Sequence, residues 1–272
     1  MIPKIIHYCW FGGTPKSPFI KKCMQTWKEK LPDYEWKEWN EKIFDVNSVP
    51  FVKEAYRAKK WAFVADYVRL YALYTEGGIY MDTDVKVMKP FDEFLKYNFF
   101  SSHEKYDFFY SEDEQKKLDS CKRIKKEYKY IEGFGVLSAV MGAASNLPYL
   151  KDCLDYYNGL EFNLSKQQID EYVIGKHISY VMSKYGYRFI DEIQFLDDNM
   201  VIFPSYYFVG NMQYLQKGSY AIHLCNGSWN GSDNFEYKIR NRFPKLDPII
   251  GIYKRIINKI LHIYAQHLNH NK

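Results

Sequence analysis

Glu76-Gly77-Gly78-Ile79-Tyr80-Met81-Asp82-Thr83-Asp84 packs three signals into nine residues: a helix stop, a short apolar strand and two carboxylates one residue apart. Glycine accepts the left-handed backbone that caps a helix C-terminus. Gly77-Gly78 therefore closes a helix predicted over 60–75, where Trp61, Val64, Val68, Tyr71 and Ala72 recur at helical spacing. Residues 79–81 then enter a sheet, Asp82-Thr83-Asp84 stand at the strand's exit, and 85–88 is predicted to continue beyond it. The opening question is whether the two aspartates hold a metal.

Two carboxylates one residue apart reach a single ion whether the backbone turns between them or stays extended, because alternate strand residues share a face. A divalent cation held by hard oxygen ligands would neutralise a diphosphate and stabilise it as a leaving group. The competing reading is an ordinary surface turn, where Asp is common. Asp66 and Arg69 lie three apart on the preceding helix and so share a face near Asp82. Alone they read as a solvated ion pair, but Ala62, Ala65 and Ala72 with Phe63, Val64, Val68 and Leu70 predict a helix buried on most sides. A charged pair on such a helix needs a reason. Trp10, beside Gly12-Gly13, is either a core residue or an indole that stacks on a nucleotide base. His223 is either a structural histidine or a third ligand for manganese.

Outward from this centre the chain opens as β-α-β, with an apolar strand within 2–10, a helix over 19–30 stopped by Pro32, and a half-buried strand over 34–39. A short helix is expected over 50–59. The stretch 101–129 is the most polar, and its register is poor, which predicts an insertion or mobile loop. Residues 136–144 read as one buried strand, followed by a helix near 149–157 and another within 164–185. Strands are expected near 190–195, 200–203 and 219–224, the last opening into Cys225-Asn226-Gly227-Ser228-Trp229. No internal repeat is present.

The 272 residues suit one large α/β domain, and 19% aromatic content with 26 Tyr suits a polyhydroxylated ligand. Five cysteines without metal or redox spacing fit a reducing compartment. Lys4 and His7 interrupt the apolar start, which reads as a first strand rather than a leader. No run of eighteen uncharged apolar residues predicts a spanning helix. From Glu236 onward eight Lys or Arg face two acids, about +6 of a net +5. Ile249, Tyr253, Ile256, Ile260 and Ile263 share one face of a predicted helix there, with Lys254, Arg255 and Lys259 elsewhere. We therefore divide the chain into a catalytic domain, 1–235, and a basic amphipathic helical extension, 236–272. The extension suits an anionic membrane surface, packing on the domain, or a dimer contact. It lacks the aromatic pattern of a nucleic-acid surface.

The segments IPKIIHYCWFGG, KKWAFVADYVRLYALYTEGGIYMDTDVKV and AIHLCNGSW resemble the DXD-containing, sugar-binding glycosyltransferases of family 32. These include bacterial capsular-polysaccharide transferases, initiating fungal α-1,6-mannosyltransferases and, more distantly, glucosylating toxin domains. The resemblance runs in blocks over about residues 1–230. It implies a nucleotide-diphospho-sugar transferase type A fold, a Rossmann-like mixed sheet with helices on both faces. It also implies a retaining transfer of a hexose from a UDP- or GDP-sugar to a glycan or lipid-linked acceptor, with Mn²⁺ or Mg²⁺, in surface polysaccharide synthesis. The corresponding place is the cytoplasm, at the inner face of the membrane where the tail docks. By the same resemblance Trp10 stacks on the base, Asp66 and Arg69 bind donor-sugar hydroxyls, and Tyr80 lines the donor pocket. Asp82 reaches the metal through water, Asp84 binds it directly, His223 completes its shell, and Ser228 and Trp229 form a lid over the diphosphate. Ser138 departs from the asparagine that many relatives carry, so its donor contacts differ. Two further readings stay open, a metal-dependent nucleotidyl- or phosphotransferase, which would lack a Gly-rich phosphate loop, and a membrane-docked carbohydrate-binding module.

Overall fold

The computed structural model describes residues 1–163 and 172–225. Strands β1 (Ile5–Cys9), β2 (Glu35–Trp39), β3 (Gly78–Met81), β5 (Phe99–Lys105), β6 (Phe134–Val136), β7 (Val140–Ala143), β8 (Gln194–Leu196) and β9 (Met200–Phe203) form one mixed sheet. Its order is β2-β1-β3-β7-β5-β9-β8, with β6 on β5. A second sheet joins β10 (Phe208–Val209), β11 (Ala221–His223) and β4 (Val85–Val87).

Period-2 alternation along the strands sorts the core into two layers. Ile79, Met81, Val140, Phe100, Val201 and Phe203 point to the face covered by α1 (Pro18–Lys30) and the small sheet. Tyr80, Met141, Phe99, Met200 and Ile202 point to the face covered by α2 (Pro50–Arg57), α3 (Trp61–Glu76), α5 (Pro148–Asp155) and α6 (Ile174–Met182). A Rossmann-like mixed sheet with helices on both faces is the architecture expected from the sequence.

Strands β1, β2 and β3 run parallel, β7 runs against β3, and β5 runs against β7 and parallel to β9. The C-terminal ends of β1, β3, β5 and β9 consequently share one edge. Ligands of open α/β sheets bind outside such ends.

The helix stop at Gly77 is real but differs in kind from the expectation. Its φ is 67° and ψ −178°, a region reached essentially by glycine alone rather than the left-handed helical one. Gly78 follows at φ 115°, where a Cβ would stand 2.8 Å from His7 Nε2. That ring fixes the turn: Trp39 Nε1 donates to His7 Nδ1 at 3.0 Å, and Nε2 meets the Gly77 carbonyl at 2.7 Å. Accepting at Nδ1 leaves the proton on Nε2.

Three expectations are corrected. The stretch 101–129 is not an insertion from its start, because Ser101, Ser102 and His103 lie fully buried in β5. Their polarity is consumed internally: Ser101 Oγ donates to the Leu137 and Val140 carbonyls, Ser102 Oγ donates to Phe208, and His103 Nδ1 meets the Tyr187 hydroxyl. Farther on, α4 (Glu112–Lys116) carries no buried residue. Residues 136–144 form two strands, broken at 137–139, where Leu137 N–H bonds to Ser102 and Ala139 O receives Asp82 N–H. Residues 85–87 do not extend β3 but cross into the second sheet. The proposed extension 236–272 lies outside the described residues, among which no helix is long and apolar enough to cross a membrane.

His103 and His177 are buried neutral, and burial pushes each down to about 4. Each unfolded imidazole keeps its ordinary value near 6.5, so the unfolded chain binds more protons between these limits. The stability they carry is complete above pH 6.5 and is lost as pH falls through 4, about 3 kcal/mol for each ring. Chemical unfolding at pH 7 and pH 4.5 should show this loss. His177→Gln, which keeps a donor toward the Cys153 carbonyl, should remove about half of it; an unchanged pH dependence would exclude the assignment.

Candidate functional site

At the exit of β3 the backbone turns, with Val85 N–H donating to the Asp82 carbonyl at 2.9 Å. The chain then enters β4, whose register pairs Val85 with His223 of β11. That crossing brings His223, remote in sequence, to the two aspartates. Its Nε2 is 3.2 Å from Asp84 Oδ1 and 3.8 Å from Asp82 Oδ2. One ligand atom from each of Asp82, Asp84 and His223 lies within 4.8 Å of the others.

Two hard oxygens and one imidazole suit Mn²⁺ or Mg²⁺. Burial opposes the His223 cation, yet Cys225 and Asp84 beside it raise its pKa well above the ordinary value. An imidazolium between two carboxylates compensates charge where a divalent ion would, so a bound ion would have to compete with this proton.

Behind the aspartates stands the pair from α3. Asp66 and Arg69 are buried, with Arg69 Nη2 2.7 Å from Asp66 Oδ1 and 3.4 Å from Asp82 Oδ1. Arg69 Nη1 donates to the Ser138 carbonyl at 3.0 Å, and the guanidinium lies 4.7 Å from the centre of the Tyr80 ring. Burial pushes the Asp66 carboxyl up to about 7, against the pull of Arg69 and with the push of Asp82. The solvated-pair reading of these two residues is therefore wrong.

Tyr80 is 1% exposed and donates to Asp82 Oδ1 at 2.8 Å. It supports the aspartate from beneath. At Ser138 it is the backbone carbonyl that anchors Arg69, a contact indifferent to the residue type there. Trp10 follows β1 on the same sheet edge, half-buried, its Nε1 donating to the Thr14 carbonyl at 2.6 Å. Lys16 Nζ lies 5.0 Å from its ring centre, which places a cation on one side of the indole. Ser228 and Trp229 lie outside the described residues.

Sequence reading missed Glu104, near the end of β5. Its Oε1 accepts from the Tyr106 hydroxyl at 3.1 Å. Burial raises its carboxyl, while His223, Asp82 and Arg69 are all near enough to act on it. The sequence FFSSHE carries no period-2 alternation of apolar and polar residues, so no local signal pointed to it.

Residues 18–101 match the family described as "Glycosyltransferase sugar-binding region containing DXD motif". Over 103 residues the chain is 36% identical to the initiation-specific alpha-1,6-mannosyltransferase of Candida albicans, spanning 34% of this chain and 27% of that protein. It is 32% identical over 103 residues to inositol phosphoceramide mannosyltransferase 3 of Schizosaccharomyces pombe, 35% of this chain and 28% of that protein. The chain thus spans less than a third of the length of these relatives. Among solved structures, the PaToxG glycosyltransferase gives a TM-score of 0.45 at 16% identity, covering 67% of this chain and 69% of its own. Galactosyltransferase LgtC, in complex with donor and acceptor sugar analogs, gives 0.42 at 12% identity, covering 90% and 95%. The matched residues run from α1 through β3 and the Asp82–Asp84 turn into β5. Between residues 18 and 101 the chain is therefore similar to the glycosyltransferase sugar-binding region that contains the DXD motif.

Proposed function

We propose that the protein is a metal-dependent glycosyltransferase that moves a hexose from a UDP- or GDP-sugar to a glycan or lipid-linked acceptor. The observation that carries this reading is the Asp82–Asp84–His223 cluster beside the buried Asp66–Arg69 pair, at the C-terminal edge of the sheet. Asp82 and Asp84 bring two carboxylates to one imidazole, beside the guanidinium of Arg69. Hard oxygens held this close favour a divalent cation, and the cation in turn admits an anionic diphosphate.

Asp84 and His223 would hold Mn²⁺ or Mg²⁺ with Asp82. The ion supplies neutralisation of the leaving diphosphate. Arg69, fixed by Asp66, Asp82, Ser138 and Tyr80, orients the sugar beside it. Trp10 takes the base. Retention follows the resemblance to family 32, with the leaving phosphate oxygen receiving the acceptor proton.

The names of the two relatives make a nucleotide-activated mannose the first donor to try, with either nucleotide. Nucleoside diphosphate release should be measured across UDP- and GDP-sugars with Mn²⁺, then after chelation. Turnover with at least one donor, lost on chelation and restored by the ion, supports the reading. A protein that binds free glycan without metal and ignores nucleotides is instead a carbohydrate-binding module.

We further propose surface polysaccharide as the product, on the resemblance to family 32, and the cytoplasmic face of an anionic membrane as the place, on the basic excess of 236–272 and the isoleucine-rich sequence of 249–268. Removing 249–272 should abolish sedimentation with anionic vesicles and leave donor hydrolysis intact. Vesicle binding that survives the truncation removes the membrane role.

A further inference from the structure

Glu104 is a carboxylate that neither the metal cluster nor the Asp66–Arg69 pair requires. Among the described residues it forms no salt bridge, although burial penalises its charge. An acid kept under those conditions is costly unless a ligand uses it.

Its surroundings are built to fit it. The Tyr106 hydroxyl holds Oε1, and Tyr106 also meets the Gly210 carbonyl at 3.3 Å. At Gly210 the backbone itself lies against the carboxylate, since a Cβ there would stand 2.7 Å from Oε1 and 2.9 Å from Cγ. Any larger residue would displace the acid. The same carbonyl accepts from Cys225 Sγ at 3.6 Å, and Sγ lies 3.5 Å from His223 Nδ1. Glu104 is thus tied through Tyr106, Gly210 and Cys225 to the back of the metal-ligating imidazole.

Sheet order gives it a role. From β1 to β5 the edge presents Trp10, then Asp82 and Asp84 after β3, then Ser138 before β7, then Glu104. A nucleotide sugar has the same linear order of base, diphosphate and sugar. With its base at Trp10 and its diphosphate at the aspartates, the sugar extends over β7 and β5, toward Glu104.

We infer that Glu104 is a further catalytic residue, whose carboxylate faces the anomeric centre of the donor sugar and stabilises the positive charge that develops there as the bond to phosphate breaks. This rests on the glycosyltransferase reading above. It assigns Glu104 no part in holding metal or nucleotide, so the two functions separate by experiment.

The test compares wild type, Glu104→Gln and Glu104→Asp in Mn²⁺ by two measurements. One is kcat for hydrolysis of the preferred nucleotide sugar with water as acceptor, and the other is the Kd of the matching free nucleoside diphosphate. Glu104→Gln removes the charge at constant shape and should lower kcat about 100-fold, with Kd within threefold of wild type. Glu104→Asp keeps the charge but withdraws it by one methylene and should fall between the two. A Glu104→Gln kcat within threefold of wild type overturns the assignment, and so does a parallel loss of kcat and nucleotide affinity. Should Glu104→Gln fail to fold, Glu104→Asp decides, and an unchanged kcat in that variant overturns it. A wild type that hydrolyses no nucleotide sugar sinks the glycosyltransferase reading and this inference together.

Discussion

Asp84→Asn should lower metal-dependent turnover about a thousandfold while leaving the melting temperature within a few degrees of wild type. The side chain is 14% exposed and stands 3.2 Å from His223 Nε2 in a cluster already rich in carboxylates. Removing one charge relieves repulsion from Asp82, so folding has little to lose. The ion loses a hard oxygen ligand, and the amide that replaces it is neutral. Asparagine also withdraws the neighbour that favours a protonated His223. Calorimetric titration of Mn²⁺ in the presence of nucleoside diphosphate gives a readout independent of turnover, and binding should weaken at least tenfold. Full activity at ordinary manganese concentrations, or unaltered manganese affinity, would show that the aspartate pair is a surface turn after all.

The parts of this site that were legible in the sequence are those written locally. A glycine pair, a short apolar strand and two aspartates specify where a helix ends, where a strand enters the sheet, and where its exit lies. Asp66 and Arg69 could be placed near that exit because both sit on the helix leading into it. His223 was recognised only as one of two readings, since its approach depends on β4 leaving the main sheet to pair with β11. Nothing within 85–88 announces that change of partner. The strand β5 was lost for a different reason: Ser101, Ser102 and His103 look like solvent-facing residues, yet their polar atoms are spent on carbonyls and a tyrosine inside the core. A buried polar strand has no hydrophobic period to read. Glu104 was hidden with it. The break at 137–139 was equally invisible, because the bonds made there are long-range: Leu137 N–H to the Ser102 carbonyl, Asp82 N–H to the Ala139 carbonyl and Arg69 to the Ser138 carbonyl. Composition reports burial only where burial is apolar.

The second large effect is expected at Asp66. Asp66→Asn should reduce transfer at least a hundredfold, with the affinity for free nucleoside diphosphate nearly unchanged. Its partner explains why the protein should still fold: Arg69 also donates to the Ser138 carbonyl, lies near Asp82 Oδ1, and rests against the Tyr80 ring. The guanidinium therefore keeps a counter-charge and a packed position when Asp66 is neutralised. The reverse substitution, Arg69→Met, leaves Asp66 and Asp82 facing each other without their shared cation, and should cost about 3–5 kcal/mol. Proton linkage gives a further check. Burial pushes the Asp66 carboxyl up to about 7 from an ordinary 3.8, so the folded protein holds a proton there that the unfolded chain has released between those limits. The contribution of Asp66 to stability is greatest below 3.8 and declines as pH rises through 7. Asp66→Asn lacks that decline, and its stability relative to wild type should rise between pH 4 and pH 8. A functional carboxylate kept at a cost to stability predicts this combination of lost transfer, retained nucleotide binding and relative gain at high pH. A variant that unfolds at neutral pH, or that retains transfer, would instead make Asp66 a structural partner of Arg69.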